Sequence, residues 1–356
     1  MKKLISSSSN LSRFRFLLIY IILLFFAVLK SQAQDMHNSQ FYSVPSNINP
    51  AFTGYFMNDY FVAATYKTQW RSISAPYQTV GGVAEISLLK NKKPNSIIGV
   101  GTSIVHDKAG STNFTTDGIN INVSYLQVLD VNRKHTIGVG FQNGISLRKF
   151  DLSKATFGNQ YNGYDGFDQN IDPNESGLRT KQLDYNLGIG GVYTFAPKAH
   201  NNLYISVSAF NLVKPNVSFY DNTDNRLYAR LAVFVGGEVK LKGNWSMLPS
   251  ALFQMQGPNK EIMAGAFVRY GLVKTRKERL GINVGVWYRY MDAIIPAVKM
   301  EYKGLNVTFN YDINVSKLTK VSRFNGSGEI SVSYSGLFFK EHKKPAKPMF
   351  CPSFAY

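Results

Sequence analysis

The sequence predicts an all-β fold: a transmembrane outer-membrane β-barrel of about 14 antiparallel strands. Three observations lead there. Apolar and polar residues alternate at period two along most of the chain, a cleavable leader precedes them, and no later apolar run reaches spanning-helix length. In the cleanest stretch Leu305, Val307, Phe309 and Tyr311 point one way, and Asn306, Thr308, Asn310 and Asp312 the other. A sheet between two water phases could carry one such stretch. Repetition over roughly 250 residues behind an export signal favours lipid outside and a hydrated or plugged lumen inside.

Residues 1–33 read as a signal peptide. Lys2, Lys3, Arg13 and Arg15 precede an apolar run from Phe16 to Leu29, and Ser31-Gln32-Ala33 offers a small-residue cleavage site before Gln34. At about 14 residues the run is shorter than the roughly 20 a spanning helix needs. No cysteine stands at the cleavage point, so lipoprotein processing is not expected. Residues 34–58 follow, where Pro45, Asn47, Asn49, Pro50 and Gly54 argue for irregular structure. A fourteen-strand lumen is wider than side chains alone fill, so this segment is expected to fold inside it or to seal its periplasmic mouth.

The barrel is expected over residues 59–339, with a periplasmic tail at 340–356. In the first strand Tyr60, Val62, Ala64 and Tyr66 face lipid, Thr65, Lys67 and Gln69 face inward, and Trp70 falls at an interfacial girdle. The next segments are Tyr77 to Leu88, Ser96 to His106, Ile119 to Tyr125 and Thr136 to Leu147. After a long polar loop come Leu183 to Tyr193, Leu203 to Leu212, Ala229 to Leu241 and Trp245 to Gln256. The last five are Ile262 to Tyr270, Leu280 to Tyr290, Ile294 to Tyr302, Leu305 to Tyr311 and Glu329 to Phe338. With the first strand rising from the periplasm, the odd-to-even connections are external and include the long ones, Lys149 to Gln182, Lys214 to Arg226 and Asn314 to Gly328.

Five of the 40 lysines and arginines precede Gln34; against 22 acids the remainder has a formal charge near +13. Nucleic acid would be one partner for such a charge, but export and barrel patterning exclude it. The cations instead gather in the short even-to-odd turns and the tail, among them Lys90, Lys92, Lys93, Arg133, Lys134, Lys198 and Lys242. The densest group is Lys274, Arg276, Lys277 and Arg279. This basic periplasmic rim is read as a solubilising edge or as a dock for an acidic periplasmic partner.

Inward-facing Lys67, Glu85, Arg230, Glu238, Arg269, Arg289, Lys299 and Glu301 carry both signs of charge, so they interlock into a plug or line a water path. No catalytic site is expected. His106 and Asp107 at the external rim, with Ser103 nearby, would suit a hydrolase, but adjacent strand residues face opposite ways and pair poorly. Asp107 and Gly110 read better as turn geometry, aspartate capping the bend and glycine taking positive φ. The loop carboxylates Asp165, Asp168, Asp172 and Glu175, with Asn174, are hard oxygen ligands; Asp168, Asp172 and Glu175 are the candidates for calcium, without EF-hand spacing, and a solvated loop is the competing reading. Scattered histidines and the single Cys351 give no transition-metal set and no disulfide, and no cofactor is expected. Gly188, Gly190 and Gly191 precede no helix, so they are not a nucleotide fingerprint; they are expected to let a strand bend or bulge.

Three groups of motifs, in order, resemble one family. Gln40-Phe41-Tyr42 through Asn49-Pro50-Ala51-Phe52-Thr53-Gly54 opens the chain; Asp107-Lys108-Ala109-Gly110 follows the third strand. The end carries Tyr288-Arg289-Tyr290-Met291-Asp292-Ala293, Tyr311-Asp312-Ile313 with Ser316 and Leu318, Gly328-Glu329-Ile330-Ser331-Val332, and the short Cys351-Pro352. Together they resemble the PorP/SprF family of type IX secretion system outer-membrane proteins of the Bacteroidetes, over essentially the whole mature chain. The resemblance implies a non-enzymatic barrel embedded in outer-membrane lipid, whose partners are secretion-system components and a large adhesin-type cargo protein of gliding or attachment. Asn49, Pro50, Phe52, Gly54, Asp107, Lys108, Gly110, Arg289, Asp292, Asp312 and Glu329 are the motif residues it marks as partner candidates. Two alternatives stay open: a core component linked to the periplasmic ring, and a lipid or solute transport barrel.

Overall fold

A computed structural model describes residues 38–338 apart from 71–74, 89–94, 165, 199, 222–223, 276–277, 317–318 and 323. The leader and the tail beyond residue 338 lie outside the described residues, as do Asp165, Arg276 and Lys277. Fourteen antiparallel strands close into one barrel. They are β1 Tyr60–Gln69, β2 Tyr77–Leu88, β3 Ser96–Ala109, β4 Phe114–Val128, β5 His135–Lys149, β6 Lys181–Lys198 and β7 Asn201–Phe210. The second half comprises β8 Arg230–Lys240, β9 Trp245–Gln256, β10 Asn259–Thr275, β11 Glu278–Arg289, β12 Ala293–Tyr302, β13 Leu305–Asn314 and β14 Asn325–Gly336. Each strand pairs with its sequence neighbours, and β14 returns to β1 with Tyr60 opposite Gly336 and Lys67 opposite Glu329.

Period two in the sequence becomes inside and outside in the barrel. Along β13, Leu305 and Phe309 are exposed on the outer wall while Asn306, Thr308, Asn310 and Asp312 are buried toward the lumen. The outer wall is an apolar band of Ile, Val, Leu and Phe, with Tyr125, Tyr193, Trp245, Tyr302 and Tyr334 ringing its short-turn end. That is the surface a bilayer demands of a closed sheet, whose backbone groups are all satisfied between strands.

Connections differ sharply between the two ends. At one end Lys303 and Gly304, both at positive φ, make a two-residue turn of the type that matches strand twist. Arg133, Lys134, Lys198 and Lys242 stand at this same end, where Lys274 pairs with Arg279 across the β10–β11 ladder. At the opposite end lie the long segments 150–180, 211–229 and 315–324. Short turns mark the periplasmic side of such barrels, so the long-loop end faces outward.

Candidate functional site

The lumen is where this barrel departs from a bare cylinder. Residues 38–58 run inside it, from the outward half down to the periplasmic mouth, where Asn58 Nδ2 bonds Ser335 Oγ (2.8 Å) and the chain enters β1. Two short 3₁₀ turns, Pro45–Asn47 and Pro50–Phe52, fold the segment compactly; proline at each start fixes φ and needs no partner for a missing N–H. Asn49 caps the second turn, its Oδ1 accepting from the Ala51 amide (2.8 Å). Its Nδ2 donates to the carbonyls of Gly191 and Val207, both at 3.0 Å, pinning the turn to β6 and β7.

Below the first turn the segment and the wall share an aromatic core. Phe41, Tyr42, Phe52 and Tyr55 pack with Tyr204, Phe234, Phe267 and Trp287, all buried. Tyr42 stacks on Trp287 with centroids 4.5 Å apart, and Phe41 meets Phe234 edge-on at 5.4 Å. Trp287 Nε1 donates to Ser250 Oγ at 3.1 Å, so the ring buries no unpaired donor. Further bonds fix the floor: Ser208 Oγ donates to the Ile48 carbonyl and Ser124 Oγ to that of Thr53, each at 2.6 Å, and the Gly54 amide donates to Glu85 at 2.9 Å.

The wall is cut to receive this segment. A Cβ on Gly190 would come within 2.0 Å of Asn49 Oδ1, one on Gly140 within 2.3 Å of the Pro50–Ala51 peptide, and one on Gly99 within 2.0 Å of the Thr53 carbonyl. The expectation that Gly188, Gly190 and Gly191 relax the strand is therefore corrected. The β5–β6 ladder runs through them without a shift, and Gly190 instead clears space for Asn49. A row of inward glycines on three strands is a sequence signal for such a seat, which strand-by-strand reading passes over.

At its outward end the segment is held by charge. Glu329 accepts the amides of Ser39 (2.7 Å) and Gln40 (2.8 Å) and pairs with Lys67 at 3.2 Å. Ser39 Oγ donates to Asp312 (2.7 Å) and receives Arg289, which also bridges Asp312 and Asp292, each at 2.9 Å. Gln40 Nε2 donates to Asn310 Oδ1 at 2.6 Å. The motif residues Arg289, Asp312 and Glu329 thus converge on the chain's own N-terminal segment, and Asp292 joins them through Arg289. Asn49, Pro50, Phe52 and Gly54 lie further along the same segment and seat elsewhere on the wall, against Gly191 and Val207, Gly140, Tyr204 and Phe234, and Glu85 respectively. A second buried network, Glu238, Arg269, Lys299 and Glu301, ties the wall near the periplasmic mouth, with Arg269 on Glu301 at 2.8 Å.

Above the latch a cavity of about 1250 Å³ faces the long-loop end. Its wall includes Lys67, Asp107, Thr116, Ser146, Arg148, Arg230, Gln254 and Glu261, and on one side the loop residues Val217, Phe219 and Asn225. The two longest loops brace each other there: Leu178 bridges Tyr220, Arg179 pairs with Asp221 at 2.9 Å, and Phe219 packs on Phe114 and Phe150.

Other expectations resolve differently. Asp107 does not cap a turn; the β3–β4 ladder continues past it to Ala109, and its carboxylate accepts from Thr79 on β2 at 2.6 Å. Gly110 takes φ 69° as expected, and Lys108 lies one residue before the strand's end, opposite Thr115. His106 bonds Asp117 on the outer face, which Lys149 joins at 2.9 Å, while Ser103 faces inward. The calcium candidates work apart: Asp168 and Asp172 cap local turns at Asn170 and Asn174, and Glu175 accepts from Tyr220 at 2.6 Å. Among the described residues no three acidic, histidine or cysteine side chains gather as a metal set.

Comparison with known proteins adds the family. A family model described as "Type IX secretion system membrane protein PorP/SprF" matches residues 30–334. No curated protein matches the chain. Among solved structures, a FadL homologue from Pseudomonas aeruginosa is similar at 10% identity, covering 81% of this chain and 92% of its own, with a TM-score of 0.44. The toluene transporter TbuX of Ralstonia pickettii is similar at 10% identity, 82% and 92% coverage and a TM-score of 0.46. CdiB from Escherichia coli is similar at 8% identity, 77% and 63% coverage and 0.41.

Proposed function

We infer the role of this chain from its membership: it belongs to the PorP/SprF family of type IX secretion system membrane proteins and is an outer-membrane β-barrel of that system. Within the system we assign it the support of secretion and surface anchoring of a large adhesin-type cargo protein. The observation that carries this reading is the occupied lumen. A barrel whose own segment is built into its periplasmic half, on glycine seats and an aromatic core, is made to hold a partner, not to pass a solute. The same floor argues against the transport reading. The reading is of a binding protein and not an enzyme, supported by His106 and Ser103 projecting to opposite faces.

A second role, as a core component linked to the periplasmic ring, draws support from the cations at the short-turn end. Deleting the gene separates the two. Loss of at least one large adhesin from the surface, with unrelated type IX cargo still secreted, is the expected result. General collapse of type IX secretion selects the core role instead. Normal display of every adhesin overturns the anchoring reading.

A further inference from the structure

The outward cavity is left without a task by the floor below it. We propose that it is a receptor for an extended, polar segment of a polypeptide arriving from outside the cell; this rests on the anchoring reading and locates its contact. Three observations carry the proposal.

The first is size: about 1250 Å³ exceeds the range of roughly 300–1,000 Å³ typical of small-molecule sites. The second is lining chemistry. Asn120, Gln142, Asn186, Asn225, Gln254 and Asn259 all border the cavity. A carboxamide offers donors and an acceptor together, as a peptide group does, so the two pair in either direction. Three of the cations beside them are matched within the wall, Arg148 by Asp184, Lys67 by Glu329 and Arg289 by Asp312, and Arg230 is engaged by Gln254 and the Phe210 ring, which disfavours a phosphate or a nucleic acid as occupant. The third observation is that this lumen demonstrably binds an irregular polypeptide, its own residues 38–58. It does so with these residue types: Gln40 reaches Asn310, and Asn49 reaches two wall carbonyls. The cavity adjoins the outward end of the described segment, with Asn38 and Gln40 on its border.

The test uses the full chain in its own cells. A photoreactive benzoyl-phenylalanine is placed at Ser146 or Thr116, which border the cavity, and at Ile145, which faces lipid. The probe partner is the adhesin whose surface display the deletion strain loses. Irradiation is expected to cross-link that adhesin at Ser146 and Thr116 and not at Ile145. In parallel, Ser146→Trp with Thr116→Trp narrows the cavity; retained adhesin should fall about tenfold while the barrel stays heat-modifiable at normal abundance. Absence of cross-links together with normal retention in the narrowed variant overturns the proposal and leaves the anchoring reading standing. A cross-linked species that resists protease and is cleaved by periodate identifies a glycan occupant and overturns it too. A deletion strain that displays every adhesin removes the anchoring reading itself.

Discussion

The two halves of the lumen are lined by the same fourteen strands, yet one is filled and the other is open. Toward the periplasm the inner wall presents Gly99, Gly140 and Gly190 beside Tyr204, Phe234 and Trp287, and residues 41–56 complete a dry core there. Toward the outside the wall presents carboxamides, hydroxyls and paired charges around an open cavity. Residue size decides the difference. Inward glycines let a second backbone lie against the sheet, whereas inward Gln, Arg and Asn hold it away and keep water.

The sharpest way to break this comparison is to remove a glycine seat. Gly140→Val with Gly190→Val would drive each new Cβ into plug atoms at 2.3 and 2.0 Å, part of it backbone that cannot rotate away. We expect a loss above about 4 kcal/mol, with residues 38–58, which carry several Phe and Tyr and no Lys or Arg, becoming cleavable by chymotrypsin. Gly271→Ala, whose Cβ would find nothing nearer than 3.7 Å, should leave both unchanged.

Truncating the floor comes next. Trp287→Ala removes a fully buried ring and its stack on Tyr42, and should cost about 3–5 kcal/mol, read from the unfolding midpoint of the heat-modifiable band. The outer wall sets a third test. Phe141→Arg places a cation against lipid and should cost roughly 2–4 kcal/mol in assembly, while Ser146→Arg in the open cavity should be tolerated. Smallest is the latch. Glu329→Gln weakens two charge-assisted bonds to the Ser39 and Gln40 amides, worth roughly 1.5–3 kcal/mol. Hydrogen exchange should then quicken at residues 39–41 while residues 52–56 stay protected.

The barrel was legible because its signal is local. Every strand segment read from the alternation overlaps a strand of the fold, and Tyr77–Leu88 and Trp245–Gln256 coincide end to end, while the segments read to Leu212, Leu241, Tyr290 and Phe338 run one or two residues past the strand ends. The same parity placed Lys67, Glu85, Glu238, Arg269, Arg289, Lys299 and Glu301 on the inner face, where all are buried. The luminal contents were legible only in outline. Proline and asparagine marked residues 34–58 as irregular, but the bond from Ser39 to Glu329 spans 290 positions, and no periodicity encodes such a pairing. Asn306 and Thr308 illustrate the limit: parity turns them inward, and their burial depends on a segment that parity does not describe. The motif resemblance drew attention to Arg289, Asp312 and Glu329, and the geometry supplied what they hold.

Conductance of the full chain in a planar bilayer tests the central claim, that this is an outward-facing cup with a built-in floor. Ser43 and Ser331, whose hydroxyls lie 3.1 Å apart, allow a disulfide between plug and wall through Ser43→Cys with Ser331→Cys. The account predicts no stable conductance steps from the unmodified barrel, and the same silence from the oxidised, locked variant. Sustained open-channel steps from the unmodified barrel, and from the reduced double-cysteine variant but not from its oxidised form, would contradict it.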